Sequence, residues 1–365
     1  MTDDLERLLR PELAAMPAYE PIEPIDELAR KLGIAPGQII KLDGNENPYG
    51  PSPGVREALA SFPYYHIYPD PGQREARRAL AAYVGVSSEQ IVLGTGSDEV
   101  MDLVLRAFVR PGEGVVNCPP TFGMYPFLTR VLGAEVVDVP RQDDFSLDLP
   151  GIEQVALRAK VIFVAAPNNP TGNPITRREV DALLATGLVV VLDEAYVEFA
   201  TESFVGDVGP QSNLIVLRTF SKWAGLAGLR VGYGVMPETV AATLMKIKQP
   251  YNLNQAAQAA LLASLDDIDL LRERVRLLIE ERGRLFDAMS TIPWLSPLPS
   301  QANFILCELK RGDALHVQSM LRERGIMVRH PDAPRLRNYL RISVGLPEHR
   351  EALLKALQEI GGRLG

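Results

Sequence analysis

A lysine at the end of an apolar run is the residue in this chain whose surroundings most suggest covalent chemistry. Lys222 ends the stretch Leu217-Arg218-Thr219-Phe220-Ser221-Lys222. Two residues with hydroxyl side chains, Thr219 and Ser221, come just before it. A lysine amine in such a place can act as a nucleophile that forms a Schiff base with an aldehyde. Arg230 follows eight residues later, and its planar guanidinium suits a phosphate through two hydrogen bonds. We therefore predict that Arg230, Thr219 and Ser221 form a phosphate-binding site beside the lysine, which we call the phosphate cup.

A carboxylate closes a second apolar run. Asp193 ends the stretch Val189-Val190-Val191-Leu192-Asp193. Burying a carboxylate at the end of such a strand is costly unless the group is paired. Asp193 therefore either caps the segment that follows or holds a cation, such as a protonated nitrogen of a heterocycle.

Two loops add the remaining parts of a site. The loop around Ser97 and Asp98 passes from a strand into a helix, where glycines let backbone N–H groups approach an anion. Either residue could instead cap the helix. Asn169 belongs to an Asn-Pro-Thr-Gly sequence that would also suit a surface turn. Jointly, these stretches supply a lysine for an aldehyde, a carboxylate for a ring nitrogen, an asparagine for a ring hydroxyl and a phosphate cup. They predict a pyridoxal phosphate site.

The elements that must position these residues alternate between short apolar strands and helices. Strands are predicted over 91–93, 114–117, 161–165, 188–192 and 214–217, and helices over 74–84, 98–109 and 177–185. Apolar strands flanked by helices indicate an α/β fold with a mostly parallel sheet that is buried on both faces. Such sheets bind ligands at the carboxyl ends of their strands, where the four stretches lie.

The C-terminal third reads as a smaller α+β unit. A long amphipathic helix is predicted over 270–289, followed by strands over 303–309, 326–329 and 339–344 and helices over 314–324 and 349–360. The expected division is an N-terminal arm at 1–43 that packs with the small domain, a large cofactor-binding domain at 44–255 and a small domain at 256–365. Four prolines exclude a long helix from the first 24 residues.

Composition excludes several classes of function. The 365 residues carry a formal charge of −8, which argues against a general binder of nucleic acid or of anionic membranes. We find no signal peptide and no 18-residue apolar span, so we expect a cytoplasmic protein. Cys118 and Cys307 are interpreted as buried small hydrophobes, and the four histidines lack ligand spacing, so no metal site is expected.

Over nearly its whole length the chain resembles the fold-type I aminotransferases of class I/II, which use pyridoxal 5'-phosphate. Asn169, Asp193 and Lys222 stand 24 and 29 residues apart, and the Ser221-Lys222 pair with Arg230 is specific to this group. Within the group the chain looks like the histidinol-phosphate aminotransferases. The stretches that carry this likeness are residues 42–50, 68–70, 118–125, 218–222, 249–252 and 340–345.

The resemblance implies roles for the cofactor residues. Lys222 would bond to the cofactor aldehyde and move the proton between Cα and the cofactor, and Asp193 would keep the ring nitrogen protonated. Asn169 and Tyr196 would bond the ring oxygen. Phe122, where many relatives have tyrosine, would stack on the ring. The residues expected around the cofactor phosphate are Ser97, Asp98, Thr219, Ser221 and Arg230.

It also implies how substrates and subunits meet. Arg341 would grip the carboxylate of the amino donor, Arg329 and Tyr19 would meet the substrate phosphate, and Asn45 would lie on the substrate side. Tyr68 would reach the cofactor phosphate of a neighbouring subunit, which implies a homodimer. The chain departs from many relatives just after Tyr19, where a Gly-basic pair is missing.

The implied reaction transfers an amino group between L-histidinol phosphate and 2-oxoglutarate in histidine biosynthesis. Two enzymes of the same fold stay open as alternatives: an aromatic amino acid aminotransferase and a threonine-phosphate decarboxylase. A cofactor-sensing regulator with a DNA-binding domain is a third reading. The first 40 or so residues show no helix-turn-helix pattern and no basic cluster, and Lys222 is retained, which argues against that regulator.

Overall fold

The computed structural model describes Leu5, residues 7–18 and residues 21–363. Its strands are β1 (Ile40–Leu42), β2 (Ile91–Thr95), β3 (Gly114–Asn117), β4 (Glu135–Asp138), β5 (Ala159–Ala165), β6 (Val189–Asp193), β7 (Leu214–Thr219), β8 (Val231–Val235), β9 (Leu295–Pro297), β10 (Phe304–Leu309), β11 (Ile326–Val328) and β12 (Tyr339–Ser343).

The helices begin with two short ones in the N-terminal arm and end with one at the C-terminus. They are α1 (Pro11–Ala14), α2 (Ile25–Leu32), α3 (Pro53–Ser61), α4 (Arg74–Val84), α5 (Ser97–Phe108), α6 (Met124–Leu132), α7 (Leu149–Val155), α8 (Arg177–Ala185), α9 (Glu238–Ile247), α10 (Gln255–Asp266), α11 (Ile268–Ser290), α12 (Ala314–Arg322) and α13 (Pro347–Gly361).

A seven-stranded sheet forms the centre of the large part of the molecule, in the order β2-β8-β7-β6-β5-β3-β4. The strands from β7 to β4 run parallel, and β8 pairs antiparallel with both β2 and β7. β6 and β7 are almost wholly buried, as their unbroken apolar sequences predict for a sheet covered on both faces. The predicted α/β fold with a mostly parallel sheet is confirmed.

A smaller sheet, in the order β12-β10-β9, is antiparallel and packs with the C-terminal helices. β1 from the N-terminal arm pairs in parallel with β11, so the arm joins this smaller part. The long helix α11 contributes to both hydrophobic cores: Leu271 and Leu278 pack near the large sheet, and Leu285 and Met289 pack near the small one. The division at 43/44 and 255/256 stays a prediction.

Strand β8 of the large sheet was not predicted from the sequence, and the reason is clear. Its sequence, Val231-Gly232-Tyr233-Gly234-Val235, contains two glycines, which usually weaken a strand. In the structure a side chain at Gly232 would overlap the backbone of Ser97. The glycine therefore lets β8 lie against the loop before α5, which brings that loop to the site.

The other predicted elements match the structure to within a few residues, including α4, α8 and β3, whose bounds are those expected. The sequence pattern did not predict helices α1, α3, α6, α7, α9 and α10. Within the described ranges, we find no helix that is both long and apolar enough to cross a membrane. Cys118 and Cys307 are buried free thiols, as predicted.

Candidate active site

A cavity of about 260 Å³ opens where β5, β6 and β7 end. It brings together most of the residues that the sequence singled out, from segments that lie far apart along the chain. Its walls include Asn45, Ser97, Asp98, Phe122, Asn169, Asp193, Tyr196, Thr219, Ser221, Lys222, Arg230 and Arg341. We call this space the inner cavity.

Lys222 projects into the inner cavity from the turn after β7. Its Nζ donates a hydrogen bond to the carbonyl of Gly44, at 3.1 Å. Burial lowers the pKa of Lys222 to about 8, and the positive charge of Arg341 acts in the same direction. A lysine in this state is a neutral amine at mildly alkaline pH, which is the form that attacks an aldehyde or accepts a proton from carbon.

Asp193 lies at the end of β6, and only 4% of its surface is exposed. Tyr125 donates a hydrogen bond to Oδ2 at 2.8 Å, and the backbone N–H of Ala195 donates to Oδ1 at 3.1 Å. Burial raises the pKa of Asp193 to about 6, and the Tyr125 hydrogen bond opposes that rise. Asp193 therefore caps a local turn and also presents a buried carboxylate to the cavity. Its role in holding a cation stays a prediction.

Asn169 and Arg341 form one wall of the cavity. Arg341 donates to the side-chain oxygen of Asn169 at 2.8 Å and to the carbonyl of Asp43 at 2.6 Å. The guanidinium also lies over the ring of Phe304, with Cζ 5.5 Å from the ring centre. These contacts fix the arginine on the rim of the inner cavity, where its charge can meet a substrate anion.

Tyr196 belongs to a chain of buried hydrogen bonds. Its hydroxyl accepts from Asn45 at 3.0 Å, and the side-chain oxygen of Asn45 accepts from Ser343 at 2.8 Å. Asn303 donates to the Asn45 carbonyl at 2.9 Å. Asn45 is thus held by both parts of the molecule and orients Tyr196, while it also lines the cavity on the side where a substrate contact was predicted.

The far end of the inner cavity suits a phosphate. Helix α5 begins at Ser97 without a side-chain cap, so the first N–H groups of the helix are left for another acceptor. Arg230 lies beside them and donates to Asp98 at 2.8 Å. The hydroxyls of Thr219 and Ser221 lie 2.9 Å apart on the same wall. The alternative in which Ser97 or Asp98 caps the helix is not seen, because Gly96 holds that position.

Gly96 is required at that position for two reasons. Its φ of +76° belongs to the left-handed region, and a Cβ there would collide with the guanidinium of Arg230. Any larger residue would displace Arg230 from the phosphate end. The glycine that the sequence marked as a phosphate-loop residue therefore keeps room for the arginine.

A second cavity, of about 420 Å³, adjoins the first and shares Phe122, Asn169 and Arg341 with it. We call it the outer cavity. Arg329 lines it, and its backbone pairs with that of Arg341 at 3.0 and 2.7 Å. The N-terminal arm covers part of this space with residues 16–18. Of the predicted residues that the structure describes, Tyr68 lies elsewhere on the surface. Tyr19 lies outside the described residues.

Tyr68 is 76% exposed in the single chain, and its ring stacks on Tyr251 with 4.5 Å between the ring centres. Tyr64, Tyr65 and Ile67 are exposed beside it. We call these five residues the aromatic patch. A cluster of exposed rings of this kind is typical of an interaction surface.

Tyr125 is the residue of the site that the sequence analysis missed, although the stretch that contains it was noted. It stands three residues after Phe122, and the two rings meet edge-on with 5.5 Å between their centres. That spacing was the available signal. Its hydroxyl reaches Asp193, which only the tertiary structure reveals.

The family model for class I and II aminotransferases matches residues 37–357 of the chain. The chain belongs to the class I and II aminotransferases. This aminotransferase is 48% identical to the histidinol-phosphate aminotransferase of Roseiflexus castenholzii, over 99% of the chain and all of that relative. It is 46% identical to the chloroplastic histidinol-phosphate aminotransferase of Nicotiana tabacum, over 97% of the chain and 86% of that protein.

Among solved structures, the aminotransferase is similar to histidinol-phosphate aminotransferase from Sinorhizobium meliloti in complex with pyridoxal-5'-phosphate. The TM-score is 0.88 at 28% identity, with 98% of each chain covered. The cofactor of the present aminotransferase is pyridoxal 5'-phosphate, and its inner cavity fits that group. The uncapped start of α5 beside Arg230 suits the phosphate, Asp193 suits a protonated ring nitrogen, and Lys222 suits the aldehyde.

Proposed function

We propose that this aminotransferase transfers the amino group of L-histidinol phosphate to 2-oxoglutarate, and that it also runs the reverse reaction from imidazole-acetol phosphate and L-glutamate. The observation that carries the proposal is the pair of backbone-linked arginines at the junction of the two cavities. Arg341 lines both cavities, and Arg329 lines the outer one. One site must accept a carboxylate and then a phosphate, and guanidinium groups bind both anions through paired hydrogen bonds.

The proton transfers fall to Lys222. When bound, the cofactor supplies an aldehyde that takes up the amino group and a protonated ring that accepts the electron pair left at Cα. The Lys222 amine, whose pKa of about 8 leaves a useful neutral fraction near neutral pH, would take the proton from Cα and deliver it to the former aldehyde carbon of the cofactor. Its hydrogen bond to the Gly44 carbonyl limits where the amine can lie between these two positions.

The other cavity residues hold and orient the cofactor. Asp193 would hold the ring nitrogen, Asn169 and Tyr196 would bond the ring oxygen, and Phe122 would stack on the ring. The phosphate is held by Ser97, Asp98, Thr219, Ser221 and Arg230, partly through backbone N–H groups. On the substrate side, Arg341 grips the carboxylate of glutamate, Arg329 and Tyr19 meet the phosphate of the amino alcohol, and Asn45 borders the substrate.

The enzyme acts as a homodimer in which Tyr68 reaches the cofactor phosphate of the other subunit. The support is the exposed aromatic patch, which buries its rings when two subunits meet. Mixing an inactive Lys222→Ala protein with a Tyr68→Ala protein, after subunit exchange, should restore about a quarter of the wild-type rate per site, since each hybrid dimer regains one site with both residues. No recovery with exchanged subunits would show that Tyr68 acts only within its own chain.

We assign the enzyme to the cytoplasm. Both cysteines are buried free thiols, which agrees with a reducing compartment.

Single half-reactions test the substrate assignment. The purified holoenzyme is mixed separately with histidinol phosphate, glutamate, phenylalanine and threonine phosphate, and the loss of the aldehyde form of the cofactor is followed by absorbance. Histidinol phosphate and glutamate should convert the cofactor at least about tenfold more efficiently than phenylalanine. Glutamate has a side-chain carboxylate and histidinol phosphate has a phosphate, whereas phenylalanine carries only its α-carboxylate and offers no further anion to the two arginines. Faster conversion by phenylalanine would make the protein an aromatic aminotransferase, and release of carbon dioxide from threonine phosphate would make it a decarboxylase.

Two arginine variants separate the anion sites. Arg341→Gln should slow the glutamate half-reaction about a hundredfold, because a charge-assisted pair to the carboxylate is lost. Arg329→Gln should slow the histidinol phosphate half-reaction and leave glutamate within about threefold. Equal effects of Arg329→Gln on both substrates would remove Arg329 from the phosphate site.

A further inference from the structure

The hydrogen bond between Tyr125 and Asp193 joins the cofactor site to a side chain that does not line it. The phenol oxygen lies 2.8 Å from Oδ2 of Asp193, and both residues are buried. The other carboxylate oxygen accepts the Ala195 N–H. Both donors that reach Asp193 from the described part of the chain are therefore neutral, and no ion pair there includes it. The cation that would complete this pair must come from the ligand.

Packing fixes the phenol in place. The Tyr125 ring stacks on Phe163 of β5, with 5.1 Å between centres and 10° between planes. It meets the ring of Phe122 edge-on at 5.5 Å. Thr129, one turn further along α6, donates to the Tyr125 carbonyl at 2.8 Å. With rings on two sides, the phenol has little freedom other than to point at Asp193.

The charges around the pair are few. Asp193 faces the carboxylate of Asp98 and the amine of Lys222, and Tyr125 faces Arg141 and the phenol of Tyr196. Burial raises the pKa of Tyr125 well above its usual range, and the charge of Asp193 raises it further. The phenol consequently keeps its proton and remains a donor throughout the working pH range, and a donor stabilises the ionised form of the carboxylate.

We propose that Tyr125 is a positioning residue for the cofactor: its phenol holds the Asp193 carboxylate ionised and aimed at the ring nitrogen. Because Tyr125 also contacts Phe122, the same side chain braces the ring that covers the cofactor face. The proposal rests on the cofactor but not on the identity of the substrate. Measurements on the bound cofactor therefore test the role of Tyr125 separately from the proposed reaction.

The test is Tyr125→Phe, which removes one oxygen atom and keeps the ring. Without its donor the carboxylate binds a proton more readily and holds the ring nitrogen's proton less firmly. The dissociation constant of the cofactor should rise about tenfold, in line with the loss of a hydrogen bond to a charged group. The absorption of the bound cofactor changes with pH as the cofactor takes up a second proton. The midpoint of that change should rise by about half a pH unit, because a less positive ring repels the second proton less.

A matched control exists in Tyr83→Phe. Tyr83 is a half-buried tyrosine whose hydroxyl donates to the half-buried carboxylate of Glu198 at 3.4 Å. Its ring stacks on Trp223 at 5.7 Å, and it does not line the inner cavity. This variant should leave the cofactor's affinity and absorption midpoint unchanged. Equal changes in both variants would show a general loss of packing and overturn the proposal.

A double-mutant cycle with Asp193→Asn isolates the contact. In the Asp193→Asn background, Tyr125→Phe should change the cofactor's dissociation constant by less than about twofold, because the carboxylate it serves is gone. An effect as large as in the wild-type background would mean that Tyr125 acts by packing alone. So would an unchanged absorption midpoint in the single variant.

Should Tyr125→Phe fail to fold, Phe163→Leu takes its place. That change removes the ring on which Tyr125 stacks and leaves the phenol present but less fixed. The absorption midpoint should then move in the same direction by a smaller amount. A folded Phe163→Leu protein with an unmoved midpoint would overturn the proposal.

Discussion

Asp193 and Glu194 are neighbours in the chain and are both buried, yet their surroundings are opposite. Glu194 lies 2.9 Å from the guanidinium of Arg218 and also accepts hydrogen bonds from Ser203 and from the backbone of Phe204. Among the described residues, Asp193 receives hydrogen bonds from neutral donors only, and it faces the inner cavity. Successive side chains of an extended strand point to opposite sides, so one step along the chain changes the environment entirely.

The difference teaches how the fold separates stability from function. The Glu194 cluster is satisfied within the protein, so it supports the packing behind the sheet. Asp193 is buried and Lys222 is half-buried, and neither forms an ion pair within the part of the chain that the structure describes. Loss of solvent moves both pKa values toward neutrality. Groups of that kind are typical of functional sites, because the missing partner is the ligand. Substitutions in the two regions should have opposite consequences.

The largest effect is expected from Lys222→Ala. The half-reaction with any amino donor should slow by about a thousandfold or more, since the base that moves the Cα proton is lost. The unfolding free energy of the apoprotein should not fall, because the variant removes a buried amine with a lowered pKa. Stopped-flow absorbance and thermal unfolding measure the two quantities. Lys248→Ala, at a lysine bonded to the Gln249 and Pro250 carbonyls outside the inner cavity, is the control.

Glu194→Gln should act on stability instead. It leaves the buried Arg218 charge without its closest carboxylate, and breaking a buried pair in this way costs about 3 kcal/mol. Chemical denaturation of the apoprotein measures the loss. Cofactor affinity should stay within about threefold of wild type, because Glu194 does not line the cavity. A large loss of cofactor affinity in a folded Glu194→Gln protein would contradict the separation.

Asp193→Asn should have the opposite effect: it should weaken cofactor binding and leave stability nearly unchanged. The apoprotein should keep its unfolding free energy to within about 1 kcal/mol, because an amide no longer has to be ionised in a buried place and still accepts from Tyr125. The dissociation constant of the cofactor should rise about a hundredfold, since the charged partner of the ring nitrogen is gone. Equilibrium titration with pyridoxal 5'-phosphate gives the value. An Asp193→Asn apoprotein that is unstable but binds the cofactor with normal affinity would contradict the proposed separation of stability from function.

The smallest effect concerns pH. Uptake of the cofactor by the apoprotein requires the neutral Lys222 amine, so its rate should rise with pH and level off above about 8. Arg341→Gln should move that midpoint upward, because the positive charge of Arg341 helps to keep the pKa of Lys222 low. Rates of absorbance change across a pH series supply both midpoints. A midpoint near the ordinary lysine value of about 10.4 would show that Lys222 is not desolvated.

Much of the fold could be predicted because its strands are apolar throughout and its helices have clear ends. β6 and β7 read as buried strands, and α4 ends at a glycine in the left-handed conformation. β8 could not be predicted, since its Gly232 serves a contact with the loop before α5 that lies over 130 residues away. Sequence periodicity carries no information about contacts over such a distance.

The candidate site divides in the same way. Lys222, Asp193 and the phosphate loop could be proposed because their residue types at strand ends restrict the chemistry. Tyr125 could not, since its role depends on a single hydrogen bond between α6 and β6. The position of Arg341 on the rim likewise follows from its hydrogen bonds to Asn169 and to Asp43. The three residues come from three different parts of the chain.

The sequence by itself determined the fold class, the cofactor and the reaction class, because the order and spacing of the site residues restrict them to one kind of chemistry. Only the tertiary structure decided which buried groups are paired within the protein and which are left for a ligand. That distinction depends on charge and distance between segments, as with Asp193 and Glu194, where adjacent carboxylates point to opposite sides of one strand end.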